Sequence, residues 1–258
     1  MDSWLTCRGV SFRYGRNPVI EGFDLSVPPD VRVLVVVGPS GVGKTTLLGL
    51  LAGHLRPDRG EIEVCGAPVR GPSARRPLVF QEYGLFPWMT VIDNVGFGLK
   101  CAGVARHPRL ERARDLMLSL GLRDIDDLYP KELSGGMKQR VGLARALAVS
   151  PEVVLLDEPF SALDSETKVS VLAETAQIVA GRRTRFVVVT HDLQDGVFLG
   201  DRVVAMQEAS RAVEAAILGP AHPRPAGYFH SAELAAERER VRGALSAAAG
   251  GEAAAGVL

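Results

Sequence analysis

Alternating apolar and polar positions mark the start of the chain as β-rich: Val10, Phe12 and Tyr14 share one parity, as in a half-buried strand, before a turn at Gly15-Arg16-Asn17-Pro18. Residues 31–37 are instead nearly continuous in Val and Leu, the composition of a strand covered on both faces of a parallel sheet. That run leads into a glycine-rich turn. Residues 45–55 then read as a buried helix, closed by Arg56-Pro57-Asp58-Arg59-Gly60, and 61–64 alternate as a strand. From Pro87 to Ala148 the helical period dominates: 110–120 is charged on one face and apolar on the other, and a second helix follows Leu133-Ser134-Gly135-Gly136. Two further buried strands, 153–156 and 186–190, flank a helix over 166–180, which is a βαβ alternation. Past Met206 the pattern weakens, until a charged helix is predicted over 232–245 with Leu234, Val241 and Leu245 along one side.

These elements predict an α/β fold with an N-terminal β layer and an inserted helical lobe. Residues 1–86 and 149–215 would form the core, 87–148 the lobe and 216–246 a C-terminal extension; the Ala- and Gly-rich stretch 247–258 is expected to be disordered. No internal repeat is found.

Composition narrows the function. Thirty basic residues balance thirty acidic ones, so no global field draws the chain to nucleic acid, and any phosphate ligand must be held locally. Every apolar run stops short of the roughly 18 residues a membrane span needs. The start, Met1 to Phe12, carries Asp2 and Arg8 and lacks an apolar signal core, which argues against export. Cys7, Cys65 and Cys101 are far apart and match no metal spacing, as reduced cytoplasmic thiols would.

The chemistry is concentrated in three segments. Gly38-Pro39-Ser40-Gly41-Val42-Gly43-Lys44-Thr45 satisfies the phosphate-loop pattern, and it lies between a buried strand and a helix, where the pattern has physical meaning. Glycines there let backbone N–H groups converge on phosphate oxygens, the helix N-terminus adds positive charge, Lys44 reaches the outer phosphates and Thr45 can ligate Mg²⁺. Asp157 and Glu158 end the strand 153–156, at the edge where α/β sheets bind ligands. Asp157 would anchor Mg²⁺ and Glu158 would polarise the attacking water. Ser134-Gly135-Gly136 precedes a helix whose free N–H groups also favour an anion, so one chain holds two phosphate cradles.

The segment Leu133-Ser134-Gly135-Gly136-Met137-Lys138-Gln139-Arg140 resembles the signature of ATP-binding cassette (ABC) ATPases, and the other motifs follow in that family's order across residues 4–206. The resemblance implies a P-loop NTPase fold of the ABC type, with a mixed, largely parallel sheet, an antiparallel N-terminal layer and a helical lobe. It implies ATP as substrate, Mg²⁺ as cofactor and a nucleotide set extending through Thr46. Tyr14 takes the place of the aromatic residue that stacks on adenine, or else is a core strand aromatic. Gln81 matches the glutamine that touches Mg²⁺ and water, His191 the histidine that meets the γ-phosphate, and Ser161-Ala162-Leu163-Asp164 the loop that crosses to the other subunit. A plain helix cap at Asp164 or Ser165 is the simpler reading. Catalysis would thus rest on Glu158, His191 and Gln81, and the metal on Thr45, Gln81 and Asp157.

In that family two copies pair head to tail, the Ser134 turn of one closing over the nucleotide held by Lys44 of the other. The apolar run from Gln81 to Val95 further resembles the importer branch serving nitrate, sulfonates and taurine, in which this region docks a membrane permease; a core role for Phe86 and Trp88 is the alternative. Tyr83-Gly84 departs from that branch, which commonly carries Pro at the first position. The implied protein is an ATPase subunit on the cytoplasmic face of the bacterial plasma membrane, serving an extracytoplasmic binding protein indirectly. A soluble ABC ATPase, such as an iron–sulfur assembly scaffold, is the alternative.

Overall fold

The computed structural model describes residues 3–206, 212–217 and 224–255. Strands β1 (Leu5–Tyr14) and β2 (Asn17–Val27) form an antiparallel hairpin. Leu5 and Cys7 of β1 are buried on one parity, but Val10 is buried on the other, because the register shifts between the Cys7↔Leu25 and Val10↔Phe23 pairs. This bulge reverses which side chains face the core, and Tyr14 leaves the hairpin 53% exposed. The core-aromatic reading of Tyr14 therefore does not hold.

Strand β3 (Val33–Val37) is buried at every position, and its alternation divides two cores. Val33, Val35 and Val37 enter one apolar cluster, whereas Leu34 and Val36 enter the other. Helix α1 (Lys44–Ala52) follows and ends at Gly53, which takes the left-handed conformation at φ 82°. Strands β4 (Arg59–Val64) and β5 (Ala67–Pro68) join the hairpin in the order β2-β1-β4-β5, and this antiparallel layer shares the second cluster with α1.

Strand β6 (Leu78–Val79) precedes the helical lobe, made of α2 (Val91–Cys101), α3 (Arg106–Ser119) and α4 (Gly135–Ala148). The Thr90 hydroxyl caps α2 by accepting from Asp93 N. After the lobe come β7 (Val153–Asp157), α5 (Ser165–Ala180), β8 (Arg185–Thr190), α6 (Leu193–Leu199) and β9 (Arg202–Met206). Strand β10 (Ala212–Ile217) adds antiparallel to β9, so the sheet continues past the boundary expected at 215. The order is β10-β9-β3-β8-β7-β6, parallel from β9 to β6.

Register in this sheet builds the site. Val37 pairs with Thr190, Asp157 with Val189, and Val79 with Leu156, so the carboxyl ends of β3, β8, β7 and β6 lie level. Residues 38–45, 81, 157–158 and 191 thereby emerge along one edge, where open α/β sheets place ligands.

The extension folds back as α7 (Ala232–Ala255), whose Leu234 and Val241 are buried with Phe229 in the first core cluster. The helix continues through much of the stretch expected to be disordered, consistent with the high helix propensity of alanine. Residues 256–258, the rest of that stretch, lie outside the described residues, as does the side chain of Leu245.

Candidate active site

The loop after β3 is shaped by close approach. A Cβ at Gly38 would stand 2.6 Å from the Met206 carbonyl oxygen, and Gly43 adopts φ 106° with Val19 of β2 against it. Only glycine meets the second condition without strain. Lys44 is almost fully buried; its ammonium donates to Gly38 O at 2.8 Å and Pro39 O at 3.0 Å. It also stands 3.6 Å from Glu158 Oε1.

The Thr45 hydroxyl donates to Asp157 Oδ1 at 3.2 Å, joining the start of α1 to the end of β7. Burial pushes the Asp157 carboxyl above its ordinary value and Glu158 adds to this, while the Thr45 hydrogen bond and Lys44 oppose it. Thr46 is buried one position further along α1.

Glu158 takes φ 45°, a left-handed conformation that costs a residue with a Cβ about 1–2 kcal/mol. Its N–H donates to Val189 O at 3.0 Å. From this bend the side chain meets His191, whose Nδ1 lies 2.8 Å and backbone N 3.3 Å from Glu158 Oε2. The His191 side chain is 57% exposed.

Gln81 lies on the same edge. Its amide donates to Ser161 Oγ at 3.2 Å, and Ser161 Oγ donates to Glu158 O at 2.9 Å. Tyr14 is at the tip of the hairpin that carries Val19, its ring edge-on to Phe12 at 4.9 Å. Thr45 thus meets Asp157, while Lys44 and His191 both meet Glu158, with Gln81 joined to the Glu158 backbone through Ser161.

The second cradle is built differently. Ser134 caps α4 by accepting from Met137 N at 3.3 Å. A Cβ at Gly136 would stand 2.9 Å from Thr167 Cγ2, and one at Gly135 3.1 Å from Leu163 Cδ2, so both glycines let the turn press on α5 and the loop before it. The turn meets Leu163, in the 161–164 loop of its own chain. Asp164 caps α5 by accepting from Thr167 N at 3.0 Å, so of the two cap positions it is Asp164 and not Ser165.

Between the two sites lies the apolar loop. Trp88 is 73% exposed, while Phe86 is partly covered by Phe97 at 4.6 Å and Trp88 at 5.5 Å. Asn94, fully buried on α2, donates to the carbonyls of Phe86, Met89 and Thr90 and accepts from Phe86 N at 2.8 Å. Arg145 of α4 donates to Gly84 O at 2.7 Å and Tyr83 O at 3.0 Å, and its guanidinium lies over the Phe86 ring at 5.4 Å. Tyr83 has φ 62°, which proline cannot adopt, so the departure at this position is built into the backbone.

Sequence reasoning assigned no role to Asn94, Arg145 or Lys168. A signal existed for Asn94, an amide among apolar residues at a helix start. Nothing in sequence pairs Arg145 with the loop or Lys168 with Asp192 and Asp195.

The family model described as "ABC transporter" matches residues 20–161. An ATP-binding protein of Brucella abortus biovar 1 (strain 9-941) is 40% identical over 238 residues, covering 92% of this chain and 91% of that protein. The chain belongs to the ABC transporter family. The taurine import ATP-binding protein TauB of Pseudomonas fluorescens is 45% identical over 190 residues, 74% of this cassette and 72% of that protein. TauB of Escherichia coli O157:H7 is 42% identical over 193 residues, covering 75% of each chain.

Among solved structures, cbiO1 from Clostridium perfringens, part of the ABC transporter complex cbiONQ, superposes with TM-score 0.74 at 24% identity, covering 83% of the cassette and 88% of that chain; this likeness bears on fold. A dimeric ATP-binding cassette in a post-hydrolysis state bound to ADP and Pi matches with TM-score 0.70 at 26% identity over 81% and 98%. The cassette is thus a nucleotide-binding ATPase with the fold its motifs implied. No helix among the described residues is long and apolar enough to cross a membrane.

Proposed function

We propose that the cassette powers an importer for a small anion of the sulfonate, taurine or nitrate type, working as a head-to-tail pair against an integral permease at the cytoplasmic face of the bacterial plasma membrane. An extracytoplasmic binding protein delivers the solute. Similarity to the taurine import relatives supports the substrate class. The exposed Trp88 carries the docking role: a large apolar side chain stays in water on a loop whose backbone is tied to α2 through Asn94 and to α4 through Arg145.

In this reading the loop 38–45 wraps the phosphates, with Lys44 exchanging its backbone acceptors for phosphate oxygens. Tyr14 offers its exposed ring to adenine. Thr45, Asp157 and Gln81 supply hard oxygen donors of the kind Mg²⁺ prefers, and the 3.2 Å approach of the Thr45 and Asp157 oxygens fits that ion. Bound there, Mg²⁺ would neutralise developing phosphate charge. Glu158 accepts the proton of the attacking water, and the exposed His191 orients Glu158 and meets the γ-phosphate. Ser134, Gly135 and Gly136 of the partner close the site, and Asp164 lies in the loop that crosses between subunits. Force passes through Gln81 and the Trp88 loop to the permease.

The test is replacement of Phe86 and Trp88 by Ser in the intact membrane complex. Permease association and solute-stimulated turnover should fall while the isolated cassette still binds ATP. Unchanged association would overturn the docking assignment, and a stimulating solute outside the small anions would overturn the substrate class.

A further inference from the structure

Behind the reacting edge lies a partly buried charge cluster that the site assignments leave unused. Lys168, in the first turns of α5, places its ammonium 2.7 Å from Asp192 Oδ2 and 2.8 Å from Asp195 Oδ2. Asp195 is buried, and its Oδ1 has no hydrogen-bond partner. Asp192 caps α6, accepting from Gln194 N at 2.8 Å and Asp195 N at 3.4 Å, and its own N–H donates to Thr190 Oγ1 at 3.0 Å. These bonds fix the backbone on both sides of His191.

At its other end Lys168 is joined to the crossing loop. Its backbone N donates to Asp164 O at 2.8 Å, within the turn that the Asp164 side chain caps. One helical turn therefore separates the loop 161–164 from an ammonium that holds the residue following His191. A surface ion pair would contribute little, but here one partly buried cation neutralises two carboxylates, of which Asp195 is enclosed. Removing it leaves Asp195 buried and uncompensated. Burial already lifts the Asp195 carboxyl, with Lys168 opposing that rise.

We propose that Lys168 is a positioning residue, which locks His191 against Glu158 and transmits movement of the crossing loop 161–164 to that pair. This deepens the proposed site and rests on its assignment of His191 and Glu158. Displacement of the loop by the partner subunit would shift the start of α5 and the ammonium together, and with them the Asp192 cap that sets the direction of the imidazole.

The test measures steady-state MgATP turnover by the full chain. Lys168→Met should lower kcat about 10- to 100-fold, as expected for a misplaced reacting group, with KM for MgATP changed less than about twofold. Lys168→Arg should restore most of the rate. Asp192→Asn, which keeps a capping oxygen but removes the charge, should show the same kcat loss and decides the matter if Lys168→Met does not fold. In a His191→Ala background, Lys168→Met should add little further loss. Wild-type kcat in both Lys168→Met and Asp192→Asn, a loss seen in KM instead, or full additivity with His191→Ala would overturn the inference while leaving His191 in place. An unimpaired His191→Ala would strike the site assignment itself, and the role of Lys168 with it.

Discussion

Two helix starts in this cassette are proposed to receive an anion, and they differ in what their own chain adds. At the start of α1 the Thr45 hydroxyl meets Asp157, and Lys44 and His191 both meet Glu158. At the start of α4, Ser134 is turned onto its own helix and the glycines press against α5 and Leu163. The first has reacting groups in place; the second has a helix dipole, free N–H groups and close packing. A cradle without chemistry is of use to a neighbour. The difference explains why one chain carries both, and it makes the α4 turn the proposed contribution to a partner's site.

The sharpest way to break this contrast is to remove the proposed base. Glu158→Gln should cut turnover by about 10²–10⁴-fold with ATP binding intact, and should accumulate an ATP-bound pair on size-exclusion chromatography. Normal turnover would refute the base assignment. Next, Ser134→Arg fills the second cradle and should lower turnover by about 10²–10³-fold. Calorimetric ATP affinity of the dilute single chain should not change. Weaker binding to the single chain would mean that the α4 turn serves its own loop, and the contrast would fail.

Smaller effects sharpen the picture. Loss of the Asp195 charge bears on the cluster behind His191. Burial lifts this carboxyl from 3.8 to about 6; Lys168 and, more weakly, His191 oppose the rise, and Asp192 reinforces it. Because the folded value is raised, its stabilising contribution is full below the unfolded value and is lost as pH rises through about 6. Asp195→Asn should therefore flatten the fall in thermal stability across that window, and an unchanged slope would place the titration elsewhere. Smallest is Trp88→Ser in the isolated cassette, which should shift stability by less than about 0.5 kcal/mol. A larger shift in chemical denaturation would return Trp88 to the core.

Much of this was legible in the chain. The run 31–37 announced a strand covered on both faces, found over Val33–Val37, and the phosphate loop was placed by the strand and helix that flank it. Tyr14 was read on the parity of Val10, but a bulge near Gly9 and a second register shift past Val10 could not be seen in the alternation alone. The left-handed bend at Glu158 left no local trace, since glutamate seldom adopts it; β8 holds the bend through Val189. Arg224 is buried with its guanidinium over the Tyr228 ring and its Nη1 donating to Val197 O, a packing decided by tertiary context rather than residue type. Long-range pairs such as Lys168 with Asp195 lie outside any periodicity.

The central claim is that each copy holds an incomplete half of the reaction site, and its most direct test is the specific ATPase rate as a function of protein concentration, with mass measured in parallel by light scattering. The account predicts a rate per chain that climbs with the fraction of pairs and vanishes where only single chains remain. A constant rate per chain down through the single-chain regime would contradict it.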